Sequence, residues 1–190
     1  MPNTSATGGY LTPTNTPLDD QALDRVIHDL YAGITGLSAS LVRPRWQQEP
    51  GNMPALGSTW IAHGITERRN DIIDSQTYIE GTGIIVNREQ ELDSLVSCYG
   101  TRAAEIEALL RDGLGIAQNR EAIDALGLSY ISISSCRNVT MLINQRWSIR
   151  LDVTVTFRRR ISHIYPVLSL QSGYITEHVE SFVDNIIVTP

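Results

Sequence analysis

Residues that could do chemistry are few in this chain, and their spacing does not favour it. Histidine stands at 28, 63, 163 and 178, never at HExxH or HxxxH spacing from a second ligand, so no metal centre is expected. Cys98 and Cys136 lie 38 residues apart with no CxxC between them. That pattern points to reduced, buried thiols and not to a disulfide framework. A nucleophile would need a Cys–His pair assembled by folding alone. Gly81-Thr82-Gly83 is half a dinucleotide fingerprint, without the third glycine or a helix after it; glycines at a strand bulge are the plainer reading. The chain has no lysine and hence no P-loop. Gly36-Leu37-Ser38-Ala39-Ser40 fails GxSxG at its fifth position. Glu177-His178-Val179-Glu180 holds an HxE, yet no PCxxC follows. No catalytic residue, metal or cofactor is assigned.

Contact chemistry is better represented. All 15 basic residues are arginine, whose planar fork pairs with carboxylates better than an ammonium does. Arg158-Arg159-Arg160 is the one dense basic run. It reads as a solvated strand end, as subunit salt bridges, or as a phosphate contact. Arg43-Pro44-Arg45-Trp46 sets two arginines and an aromatic on a stiff segment. Such a segment suits an interface anchor and equally a Trp that pins a loop to its own core. Arg43, Arg45, Trp46, Arg158, Arg159 and Arg160 are therefore the candidate subunit or partner contacts.

Length and charge narrow the class. The 190 residues are enough for one domain with arms. Hydrophobic residues make up 42% and the net charge is −6, which excludes a disordered chain and argues against a dedicated nucleic-acid binder. No run reaches the roughly 18 apolar residues that span a bilayer. The opening MPNTSATGG has neither a basic nor an apolar signal region, so no signal peptide is expected.

The elements that must position these residues follow from periodicity. Residues 1–17 are rich in Thr, Pro, Gly and Asn, with little to bury, and form an arm. A helix is predicted from Leu18 to Gly36, with Leu23, Val26, Ile27, Leu30 and Tyr31 on one stripe. Strands are expected over 58–68, 76–87 and 90–99, with Asn70-Asp71 and Asn87-Arg88 in the loops. A helix capped by Thr101 and ended by Gly113 comes next, then a shorter one over 117–126. From Trp147 to Arg158, apolar and polar residues alternate without a break, the mark of a strand with one buried and one wet face. Residues 128–135 are its expected hairpin partner, across a long loop near 137–145. The order predicts an α+β fold: an antiparallel sheet with helices on one face, and extended N- and C-terminal arms. The domains expected are an arm 1–17, a core 18–165 and a C-terminal extension 166–190, whose Ile186-Ile187-Val188 has strand character without a partner.

Taken in order, five segments carry a resemblance. They are Arg43-Pro44-Arg45-Trp46-Gln47, Tyr99-Gly100, the run Ala108 to Leu114 with Gln118 to Glu121, the strand Arg146 to Arg160, and Tyr165-Pro166-Val167-Leu168-Ser169. Over residues 20–170 the chain resembles the neck or tail terminator proteins of tailed bacteriophages. The resemblance implies a virion protein and no enzyme. It implies a ring, of six subunits in such families, that caps the tail tube and meets the head connector and other neck proteins. Genomic DNA would be only passing cargo, and no membrane would be involved. A head-closure or head–tail joining protein is the alternative in the same class. A small enzyme would need a folded Cys–His pocket, and a DNA-binding accessory protein would need an exposed basic patch.

Overall fold

A computed structural model of the chain describes residues 3, 6–47, 51–55, 57–143 and 145–168. Ile186-Ile187-Val188 and the HxE segment lie outside the described residues.

Helix α1 (Asp20–Thr35) begins where Asp19, in extended backbone, accepts the Asp20 amide. It stops at Gly36, whose φ of 67° is the left-handed cap that glycine adopts without strain. Its apolar stripe buries Leu23, Ile27, Leu30 and Tyr31. A 3-10 turn at Ala39–Leu41 leads into β1 (Val42–Pro44). Then come β2 (Trp60–Asn70), β3 (Ser75–Ile79) and β4 (Gly83–Tyr99). Asn87-Arg88 is therefore not a loop but the middle of one 17-residue strand. Polar residues there keep the two-residue period, since Asn87 and Arg88 pair in register with Ser162 and Ile161. Gly81 and Gly83, with φ of 74° and 114°, turn the chain between β3 and β4 and form no bulge.

Helix α2 (Ala103–Gly115) runs two residues past Gly113 and has no side-chain cap; the Gly100 carbonyl takes the Ala103 amide in place of Thr101. Helix α3 (Ala117–Asp124) follows. The chain closes with β5 (Leu128–Ile133), β6 (Arg137–Asn138), a hairpin of β7 (Met141–Ile143) and β8 (Arg146–Ser148), and β9 (Arg150–Tyr165). The long loop expected near 137–145 is thus largely strand.

The main sheet runs β1-β2-β4-β9-β5, with β3 also on β4 and β6 on β9. Every pairing is antiparallel except β1 with β2, which makes the sheet mixed. The helices lie on one face, α1 against β1 and β2, α2 against β4 and β9, α3 against β5. This is the expected α+β architecture. Leu92, Val96 and Cys98 of β4 and Val153, Val155 and Phe157 of β9 are fully buried beneath them, each large apolar side chain contributing on the order of 1.5–3 kcal/mol.

β4 and β9 pair from Ile84↔Tyr165 to Tyr99↔Arg150, about 50 Å at the antiparallel rise. Buried side chains on the helix face end at Gln90 in β4 and Ile161 in β9. Beyond them the strands continue as a blade. There the start of the chain joins the sheet: Thr14 N donates to Ile164 O at 2.8 Å, Asn15 Nδ2 to Ser162 O at 2.7 Å, and Ile164 N to Asn15 Oδ1 at 2.7 Å. The arm occupies the edge of β9 that β5 leaves free.

Candidate interaction surfaces

Strand alternation divides the arginine run. Arg159 points to the helix face and is buried; its guanidinium donates to Gln90 Oε1 at 2.9 and 2.7 Å, to Leu18 O, and to Asp19 Oδ1 at 3.3 Å. Burial lowers its pKa against the pull of Asp19. Burial would raise the Asp19 carboxyl, but the hydrogen bonds from Arg68 and the Asp20 amide, with the charges of Arg68 and Arg159, hold it below the usual range. Arg159 thus ties β9 and β4 to the start of α1. Arg158 and Arg160 are exposed on the other face, and both pair with Glu89, at 3.6 and 2.6 Å.

That bare face continues as a matched ladder. Arg69 meets Asp93 at 2.5 Å and Glu67 and Glu91 at 3.3 Å, while Thr156 donates to Asp93 at 2.8 Å. The Arg69 hydrogen bond lowers the Asp93 pKa, and Asp93 raises that of Arg69. Further along, Arg150 and Asp152 form two bonds of 2.8 Å, and Trp60 stacks on Tyr99 with centroids 4.2 Å apart. Exposed ion pairs of this kind add little stability, but they leave the sheet face nearly neutral.

The Arg43–Trp46 segment lies at the opposite edge. Trp46 has φ of 56°, an uncommon conformation for a bulky residue, and stays 70% exposed. Its ring lies over Gly64 of β2, where a Cβ would come within 2.7 Å of it. Arg45 donates to Ser97, which in turn donates to Asp152. Arg43 donates to Asn52 O at 2.5 Å. With Arg25 and His28 of α1, these residues line a cleft of about 1000 Å³. Among the described residues Arg25, Arg43 and Arg45 pair with no carboxylate.

Two apolar patches were not assigned from sequence. Where the blade begins, level with Glu89, the loop between β2 and β3 exposes Ile72 fully and Ile73 at 84%; Tyr78 and Ile79 of β3, nearer the blade tip, are half-exposed. At the other end, the β7–β8 hairpin pairs Leu142 with Trp147, the Trp 71% exposed. A lone two-stranded hairpin is marginal in water. The signals were present in Asp71-Ile72-Ile73-Asp74 and Met141-Leu142-Ile143, apolar runs inside stretches read as loops.

Nucleophilic chemistry gains no support. Burial pushes the Cys98 thiol up to about 12, which keeps it protonated. Cys136 is exposed, not buried as its spacing suggested. His63 is fully buried against Tyr31, and neither ring nitrogen has a partner among the described residues. Burial, with the charges of His28 and Arg45, lowers its pKa to about 4. Among the described residues no group of three possible ligands gathers for a metal, and no helix is long and apolar enough to cross a membrane.

A helix-backed sheet with matched charges and exposed apolar patches suits contact with other proteins. The family model of the phage neck terminator protein matches residues 21–189, and the chain belongs to that family. No curated protein matches the chain. Family membership gives it a structural role in the phage neck, located in the virion and in contact with other neck and tail proteins.

Proposed function

We propose that this chain is a ring-forming tail terminator that caps the tail tube and joins it to the head connector. The ring has six copies, is assembled in the host cytoplasm, and passes genomic DNA as cargo without catalysis. One observation carries this reading beyond family membership. A strand pair about 50 Å long carries two unlike exposed apolar patches among the described residues, Ile72-Ile73 level with Glu89 and the Leu142/Trp147 hairpin beyond the Tyr99 end. A ring needs unlike patches, because one surface must meet a different surface on the next subunit. In this reading residues 1–17 form an arm, 18–165 the core and 166–190 a C-terminal extension. Arg43, Arg45, Trp46, Arg158 and Arg160 serve contact, with Arg159 reserved for the fold. The bare face, its arginines already matched by Glu89 and Asp93, would hold passing phosphates only weakly.

Light scattering over a concentration series, with and without tail-tube protein, tests it. The expected result is a discrete ring, or a monomer that becomes one on adding tube protein. A strict monomer indifferent to tube protein overturns the reading.

A further inference from the structure

Two segments of this fold each carry one sign of charge beside exposed apolar side chains. From Asn70 to Asn87 the charged residues are Asp71, Asp74 and Glu80 alone; from Ala125 to Ile149 they are Arg137 and Arg146 alone. Among the described residues none of the five enters an ion pair. Asp71 and Asp74 flank Ile72 and Ile73 in the exposed β2–β3 loop. On the β7–β8 hairpin, Leu142 pairs with Trp147 on one face and Ile143 with Arg146 on the other, all four exposed. An apolar centre with a charged margin is the anatomy of a protein interface, and tryptophan is a common anchor in one. Guanidinium groups bind carboxylates with charge-assisted hydrogen bonds, about twice as strong as neutral ones. The acidic loop and the basic hairpin are therefore complementary.

Other seats on the fold match less well. The helix side exposes Leu109, Ile116 and Leu126, but Arg111 and Arg120 stand among its acids, so a basic hairpin would meet like charge there. In the basic cleft beside β1, Arg43 and Arg45 already donate to Asn52 and Ser97. Distance then excludes a contact within one copy. The loop is level with Glu89, whose carbonyl takes the Asp71 amide; the hairpin lies beyond Tyr99, where the Gly100 amide donates to Ile149. Ten residues of β4 separate Glu89 from Tyr99, about 34 Å. A second copy meets no such limit.

We propose that the β2–β3 loop of one copy docks on the β7–β8 hairpin of the next, Ile72 and Ile73 against Leu142 and Trp147, with Asp71 and Asp74 facing Arg137 and Arg146. The inference rests on the ring reading and deepens it. Loop and hairpin are unlike surfaces, so a joined pair keeps one of each free for further copies. Charge exchange in the full chain tests it, by light scattering under the conditions in which the unaltered chain associates. Asp71→Arg with Asp74→Arg should weaken association about tenfold, as should Arg137→Glu with Arg146→Glu. All four together should restore most of it. A second readout mixes one preparation carrying Ile73→Cys with another carrying Leu142→Cys, both with Cys136→Ser, before assembly and oxidation. On a non-reducing gel the mixed disulfide should far exceed either like pair. A mixed band no stronger than the like pairs, or a fourfold variant no better than either pair, overturns the docking. The second of these is also the result if a different acidic segment, such as Glu177 to Asp184, covers the hairpin. The unaltered chain separates the failures. A ring without these signatures removes only this docking, and a particle of two copies that shows them removes only the ring. A monomer at every concentration, with and without tail-tube protein, removes both.

Discussion

β4 and β9 run through two environments in one unbroken register, and the contrast isolates what the helices do. Under α1 and α2, Leu92, Val96, Val155 and Phe157 are fully buried. Past Gln90 and Ile161 the same two strands, still paired residue for residue, carry only partly buried side chains. Backbone hydrogen bonding is equal in the two halves, so it cannot account for any difference in stability between them. Apolar burial differs, and at roughly 25 cal/mol per Å² it places most of the folding free energy in the covered half. The blade is carried by that half.

The sharpest way to break this contrast is to cut into the covered half. Phe157→Ala should cost about 3–5 kcal/mol, read as a lower urea midpoint with an unchanged slope. Arg159→Ala comes next, at about 3 kcal/mol, because it strands Gln90 and Asp19 beside a buried gap. Its neighbours set the comparison: Arg158→Ala and Arg160→Ala should each change stability by less than about 1 kcal/mol, and an equal cost at all three positions would refute the division by strand face.

Acid probes the same boundary through His63. The unfolded chain takes a proton near the ordinary 6.5, while the folded chain resists until about 4. The unfolded state holds more protons in that window, so this stability is full above about 6.5 and falls as pH drops toward 4. The loss approaches about 3 kcal/mol. Urea midpoints measured across the window should show that slope in the parent and lose most of it in His63→Phe. The smallest effect on folding belongs to the loop at the base of the blade: Ile72→Ser with Ile73→Ser should leave stability within about 0.5 kcal/mol while the proposed ring, measured by light scattering, loosens. A cost of several kcal/mol would place that loop in the core.

Much of the covered half was legible in the sequence. The alternation through Val153, Val155 and Phe157 and the stripe from Leu23 to Tyr31 state their buried faces directly. Arg159 was legible too, since it occupies the inward parity of β9, but three consecutive arginines drew attention to charge and away from period. The blade was harder to see. With no helix above it among the described residues, β4 keeps no apolar alternation through Asn87, Arg88 and Glu89, and polar residues in a strand look like a loop. The cleft could not be read at all, because Arg25 and Arg43 come together only when α1 folds back along β1.

The seat of Asn15 on β9 has a consequence in time. Asn15 and its partners Ser162 and Ile164 are separated by 147 and 149 residues of chain. At a synthesis rate of about 5–20 residues per second, the arm leaves the ribosome roughly 7–30 s before its seat exists. During that interval it is a loose end, and its docking waits for β9. A segment made before β9 thus finds its place only after β9.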